Sequence, residues 1–137
     1  MASKSLDDCE VLLAQAFIAI HNIYRLNNPG PTPQTPARSL IITCTYRTPA
    51  EQKILYAQGR TTPGSIVTNI DGVTKLSNHN YYPSRALDFA VLIGGQISWA
   101  TLNYQFMKDL ARTHGLTWGG NWTTFKDYPH LELPGLS

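Results

Sequence analysis

The sequence predicts an α+β domain in which a small, mostly antiparallel sheet is flanked by helices. Three observations predict it. Leu6, Cys9, Leu13, Ala16, Phe17, Ile20 and Tyr24 recur at helical spacing. The runs Ser39–Tyr46 and Arg85–Leu92 are rich in β-branched and apolar residues and read as strands. Gly94-Gly95, just after the second run, has the chemistry of a tight hairpin turn.

The first helix is expected to begin at a capping box, Ser5 with Asp8, and to end near Asn27-Asn28. His21 on this helix is read as structural. The stretch Pro29–Pro36 (PGPTPQTP) cannot be helical and reads as a connector inside the domain. After the strand at Ser39–Tyr46, Thr48 suits an N-cap, Pro49 the first helical position and Glu51 the third. This second helix runs to about Gln58 and stops at Gly59. Thr61–Ser77 is polar with two glycines, a long surface loop of the kind that is usually functional or mobile. Ser98 is expected to cap a third helix with Leu102, Phe106 and Leu110 on one face and Gly115 at its end. Leu116–Trp118 and His130–Leu133 complete the sheet as short strands.

A length of 137 residues suits one domain with a single core, here taken as residues 1–137. Apolar residues make up 42% and charged residues 15%, a globular balance. The net charge of +2, without a Lys/Arg run, argues against a nucleic-acid partner. Val11–Ile20 has the length of a signal peptide's apolar core, but Asp7, Asp8 and Glu10 stand where a signal would be basic. It is too short to span a bilayer. The reading is therefore no export signal and no stable membrane insertion. Cys9 and Cys44 both sit in apolar surroundings and read as buried free thiols.

Three groups carry chemistry: His79, Asp88, and the pair Asp127/His130. Zinc favours imidazole and carboxylate donors, and a catalytic ion keeps one position open. His79 closes the long loop, Asp88 follows nine residues later on a strand, and His130 begins the last strand. Asp127, three residues before His130, is either a proton acceptor beside such a centre or a turn-forming residue ahead of Pro129. Trp118 and Trp122 flank Gly119-Gly120; Trp118 is assigned to the core and Trp122 to a cleft.

The stretch from Ser77-Asn-His79 to Ala86-Leu-Asp88, followed by Asp127-Tyr-Pro-His130-Leu-Glu-Leu, resembles the M15 zinc peptidases. Trp118-Gly-Gly-Asn-Trp and Tyr46-Arg-Thr-Pro-Ala-Glu-Gln52 resemble the L-alanyl-D-glutamate peptidase branch, which includes phage endolysins. The resemblance covers roughly Ile41 to Leu133. One departure is plain: the family's His-to-Asp interval is seven, and here it is nine, with Asn80–Ser84 replacing the usual glycine.

The resemblance implies a hedgehog/D-Ala-D-Ala peptidase-like fold. It implies one zinc ion on His79, Asp88 and His130, with Asp127 as general acid/base and Arg47 as stabiliser of the carbonyl oxygen. Gln52 and Ser77, with Trp122, are implied substrate contacts. Plainer roles stand beside these: a surface salt bridge for Arg47, an exposed helix position for Gln52, loop orientation for Ser77. The expected activity is cleavage of the L-Ala–D-Glu bond of bacterial peptidoglycan by a monomeric, phage-type endolysin. It would lie in the host cytoplasm before lysis and act on the periplasmic wall, with no separate wall-binding domain. The alternatives are a D-Ala-D-Ala carboxypeptidase and a non-catalytic zinc-containing wall-binding domain. The site is expected at one sheet edge, under the Thr61–Asn78 loop.

Overall fold

Strand β2 (Ala86–Ile93) is the spine of the molecule in a computed structural model that describes residues 2–30, 32 and 35–135. Pro31, Pro33 and Gln34 of the proline-rich connector lie outside the described residues. Along one side β2 pairs with β1 (Arg38–Cys44). Along the other, its C-terminal half pairs with β3 (Gln96–Ser98) and its N-terminal end with β5 (His130–Glu132), which in turn pairs with β4 (Thr117–Trp118). Every ladder is antiparallel. The β2–β3 connection is the two-residue turn Gly94-Gly95, with φ of 58° and 82°. Consecutive positive φ values are the signature of a hairpin turn that matches strand twist.

Alternation along β2 divides the sheet into two faces. Leu87, Phe89 and Val91 are fully buried in one core with Leu40, Trp118 and Leu131. Helix α1 (Val11–Asn27) covers this face with Leu13, Phe17, Ile20 and Tyr24, and α3 (Met107–Thr113) adds Met107 and Ala111. Each such large apolar side chain contributes about 1.5–3 kcal/mol by burial. Asp88 therefore points to the opposite face, away from α1 and α3. Helix α2 (Pro49–Ala57) begins at the expected capping box, with Thr48 accepting from the Glu51 amide and Glu51 from that of Thr48. Cys9 and Cys44 are buried free thiols. No helix among the described residues is long and apolar enough to cross a membrane.

Three expectations are corrected. The first helix begins at Val11, not near Leu6, because Asp8 and Glu10 spend backbone groups on Ser84: Ser84 N–H donates to Asp8 O and Glu10 N–H to Ser84 O. Leu6–Asp8 forms a short 3-10 turn instead, with Ser5 accepting from the Asp7 amide. The third helix is broken into a 3-10 turn, Thr101–Tyr104, and α3. Tyr104 causes the break: its hydroxyl donates to Ser98 O at 2.7 Å and accepts from Val91 N–H at 3.0 Å, which draws it under the sheet. The buried face is Tyr104, Met107 and Ala111, while Leu102 is 80% exposed. Ser98 ends β3, and its hydroxyl accepts from the Asn103 side chain. Finally, the polar cluster lies at the end of the central strand β2, flanked on both sides, not at a sheet edge.

Candidate metal centre and active site

Asp88 is the meeting point of the cluster, and sheet register brings its neighbours to it. It stands directly opposite Cys44 on β1 and His130 on β5. His130 Nδ1 lies 3.0 Å from Asp88 Oδ1. The third group arrives from outside the sheet. His79 sits in a 3-10 turn, Asn78–Asn80, capped by Ser77, whose hydroxyl accepts from the His79 amide. The Arg47 amide donates to His79 O and the Asn80 side chain to Arg47 O, so the turn is tied to the segment after β1. His79 Nε2 then lies 3.2 Å from the same Asp88 Oδ1.

The remote nitrogens of both rings are also engaged. His79 Nδ1 is 2.6 Å from Thr45 O, and His130 Nε2 is 2.7 Å from Glu132 Oε1. A carbonyl or carboxylate oxygen only accepts, so each of those nitrogens must be a donor. In neutral rings this leaves two lone pairs and a carboxylate oxygen facing one another. Acceptors converge without a donor unless protons or a cation lie between them. Without a cation, protons supply the balance. Burial alone would lower the His79 and His130 pKa values, but Asp88 overrides it and raises them to about 10 and about 9. Burial would likewise raise Asp88; the two imidazoles hold it far below the usual carboxylate range instead.

The donor set fits a divalent metal. Nitrogen and oxygen donors suit zinc, and an imidazole whose second nitrogen donates to a carbonyl or carboxylate is the usual arrangement around it. Two three-donor groups have ligand atoms within 4.8 Å of one another: Cys44, His79, Asp88, and Asp88, Asp127, His130. Both contain Asp88. Cys44 Sγ lies 3.7 Å from Nδ1 of His79, the ring edge already turned to Thr45 O, and accepts from Arg47 at 3.4 Å. The sequence-expected trio is split between the two groups, with His79 in the first, His130 in the second and Asp88 joining them.

Asp127 lines the same cleft, with Oδ2 3.9 Å from His130 Nδ1. Its side chain is 41% exposed, so solvent reaches it. Burial raises its pKa, aided by the charge of Asp88 and opposed by His130, His79 and Arg47. A carboxylate with a raised pKa beside a cleft holds its proton more readily than a free one, which suits a proton-exchanging role. Its position is set from behind. The Asp127 amide donates to Gly119 O, and Trp118, fully buried, donates from its indole to Tyr128 O at 2.7 Å.

Arg47 is no surface ion pair. It is 15% exposed, donates to Gln52 Oε1 at 2.9 Å, and places Nη2 3.8 Å from Asp88 Oδ2. Gln52 is 1% exposed, and its amide is spent on Arg47, Ile70 O and Thr68. It ties Arg47 to the long loop and itself lines the cleft. Ser77 is buried and orients His79. Trp122 borders the cleft and lies against the His130 ring, with centroids 5.1 Å apart.

The cleft has a volume of about 940 Å³, and the long loop forms one wall through Val67–Ile70 and Thr74–Ser77. Glu132 and Phe125 also line it, and the sequence reading passed over both. The signal for Glu132 was its spacing: two residues from His130 on a strand puts both side chains on one face. Phe125 is 51% exposed at a φ of 51°, a conformation unusual for a bulky residue, and no sequence pattern marks it.

Residues 71–133 match a family model of the M15 peptidases described as D-alanyl-D-alanine carboxypeptidase. Peptidoglycan L-alanyl-D-glutamate endopeptidase CwlK of Bacillus subtilis (strain 168) is 40% identical over 104 residues. That alignment takes in 69% of this chain and 60% of CwlK, so the chain spans well under two thirds of that relative. The crystal structure of the Serratia marcescens L-Ala D-Glu endopeptidase ChiX shares the fold, with a TM-score of 0.62 and 23% identity over 98% of this chain and 89% of that one. The matched segment runs from the long loop through His79, Asp88 and Asp127 to His130, so the similarity to the M15 peptidases takes in the whole polar cluster.

Proposed function

We propose that the protein is a zinc-dependent peptidase that cuts the L-Ala–D-Glu bond of the peptidoglycan stem. The observation that carries this reading is the convergence of His79 and His130 on one oxygen of Asp88, with Asp127 and Arg47 at the same cleft. The choice of bond is supported by the 40% identity to CwlK.

His79, Asp88 and His130 would hold the ion. Bound there, zinc would polarise the scissile carbonyl and acidify a water molecule. Asp127 accepts the proton of the attacking water and later delivers it to the leaving amine. Arg47, permanently charged and held by Gln52, donates to the oxygen that gains charge as the carbonyl becomes tetrahedral. Trp122, over His130, gives the stem peptide an apolar wall.

The endolysin role belongs to the same proposal. So do a monomeric state, storage in the host cytoplasm and action on the periplasmic wall, all resting on the sequence resemblance. A second reading, D-Ala-D-Ala carboxypeptidase, is favoured by the description of the family model. Digestion of purified peptidoglycan separates the two. New C-terminal L-Ala paired with N-terminal D-Glu supports the endopeptidase. Free D-Ala with the L-Ala–D-Glu bond intact replaces it with the carboxypeptidase, and no product at all from zinc-loaded protein leaves the non-catalytic zinc domain.

A further inference from the structure

We propose that Glu132 is a positioning residue of the metal centre, fixing which nitrogen of His130 faces the ion. The inference rests on the zinc reading above. Glu132 Oε1 lies 2.7 Å from His130 Nε2. Because a carboxylate only accepts, Nε2 carries the proton and Nδ1 is left with its lone pair toward Asp88. The contact is shielded, with the His130 side chain 7% and the Glu132 side chain 20% exposed. Hydrogen bonds at such sheltered places hold a ring more firmly than exposed ones.

Asn78, in the turn that carries His79, lines the same cleft as Glu132. Asn78 immediately precedes His79 in the 3-10 turn, and its carbonyl accepts from the Arg85 amide at 3.0 Å. Glu132 itself is fixed in the sheet, opposite Ala86 on β2 and Thr117 on β4. A rigid strand thus presents one side chain that holds the His130 ring from the side away from Asp88. Glu132 belongs to neither three-donor group, and it meets His130 at the ring nitrogen turned away from Asp88. Its place is behind the donors.

The test is zinc affinity by competition with a chromophoric chelator, with nitrogen NMR of the His130 ring in the zinc-loaded protein. Wild type is expected to bind zinc and to show a protonated Nε2. Glu132→Ala is expected to weaken zinc about 10–100-fold and to lose the fixed tautomer. Glu132→Gln keeps an acceptor oxygen and loses the charge, so it is expected to fall between the two. It carries the test should the alanine variant fail to fold. Wild-type affinity and an unchanged His130 spectrum in the variants overturn the inference alone. A wild type that binds no zinc overturns the metal reading and this inference with it.

Discussion

Asp88 and His130 face each other across the β2–β5 ladder, and the Asp88 oxygen that meets His130 Nδ1 at 3.0 Å also meets His79 Nε2 at 3.2 Å. One oxygen between two imidazoles makes Asp88 the least replaceable member of the cluster. Asp88→Asn keeps the shape but removes the charge that both rings answer. The expected result is loss of stoichiometric zinc, read by metal analysis after dialysis, and loss of peptidoglycan hydrolysis. Zinc retained at full occupancy would assign the centre to other donors, Cys44 first among them.

Asp127 should separate from the ligands in the opposite way. It borders the cleft on a loop anchored by Gly119 and Trp118, and the sheet does not depend on it. Asp127→Asn is expected to bind zinc as wild type does while hydrolysis falls by about 10²–10⁴-fold, the usual contribution of a positioned acid/base. Zinc content and cleavage rate are measured on the same sample. Retained activity would move the proton-transfer role to another residue.

Much of this was legible in the sequence, for identifiable reasons. The Thr48-Pro49-Ala50-Glu51 start of α2 and the Gly94-Gly95 turn are local codes, satisfied within a few residues, and both stand as read. The start of α1 was not legible, because Asp8 and Glu10 bond to Ser84, more than seventy positions away. The third helix failed for the same reason: Tyr104 answers to Val91 and Ser98, not to its own helical period. Within the site, residue types pointed to His79, Asp88, Asp127 and His130, but roles depended on directions. Gln52 proved to be buried beneath Arg47, and Glu132, unremarked as a lone acid on a strand, proved to stand against His130.

The metal-free protein should show a definite pH dependence of stability. His79 and His130 have folded pKa values raised to about 10 and about 9. A raised imidazole contributes stability that is fully present below its unfolded value, about 6.5, and is lost as pH climbs through the folded values. Asp88 is depressed, so its contribution is present above the unfolded carboxylate value of about 4 and is lost as pH falls further. Thermal unfolding in chelator is therefore expected to peak between about pH 4 and pH 6.5 and to decline toward pH 10. Zinc bound at the cluster would replace the protons on the rings, so adding it should raise the melting temperature most on the alkaline side. A melting temperature in chelator that rises from pH 7 to pH 9 would contradict the protonated cluster.

Gln52 should report on stability and activity together. Its amide accepts from Arg47 and donates to Ile70 O and Thr68, all in the wall of the cleft. Gln52→Ala removes one partner of the Arg47 guanidinium and the donor to the part-buried Ile70 carbonyl, at a cost of about 1–3 kcal/mol for a sheltered group left unpaired. The expected phenotype is a lower urea midpoint, retained zinc and slower hydrolysis because Arg47 is no longer held. If turnover fell with no change in stability, Gln52 would be touching substrate after all.

Gly119 gives a test of how the Asp127 loop is built. A side-chain carbon placed on Gly119 would lie 2.3 Å from Asp127 O and 3.1 Å from Asp127 Cβ. The first contact is with backbone, which cannot swing aside as the end of a side chain can. Gly119→Ala must therefore displace the segment that aims Asp127 into the cleft, and a shift of about an ångström in a catalytic group costs on the order of 10²-fold in rate. His79, Asp88 and His130 are held by the sheet and by the 3-10 turn, so zinc binding should survive. The expected variant is folded, loaded with metal and slow. Wild-type activity in Gly119→Ala would mean that Asp127 is not aimed by this contact, and the proton-transfer geometry drawn from it would fall.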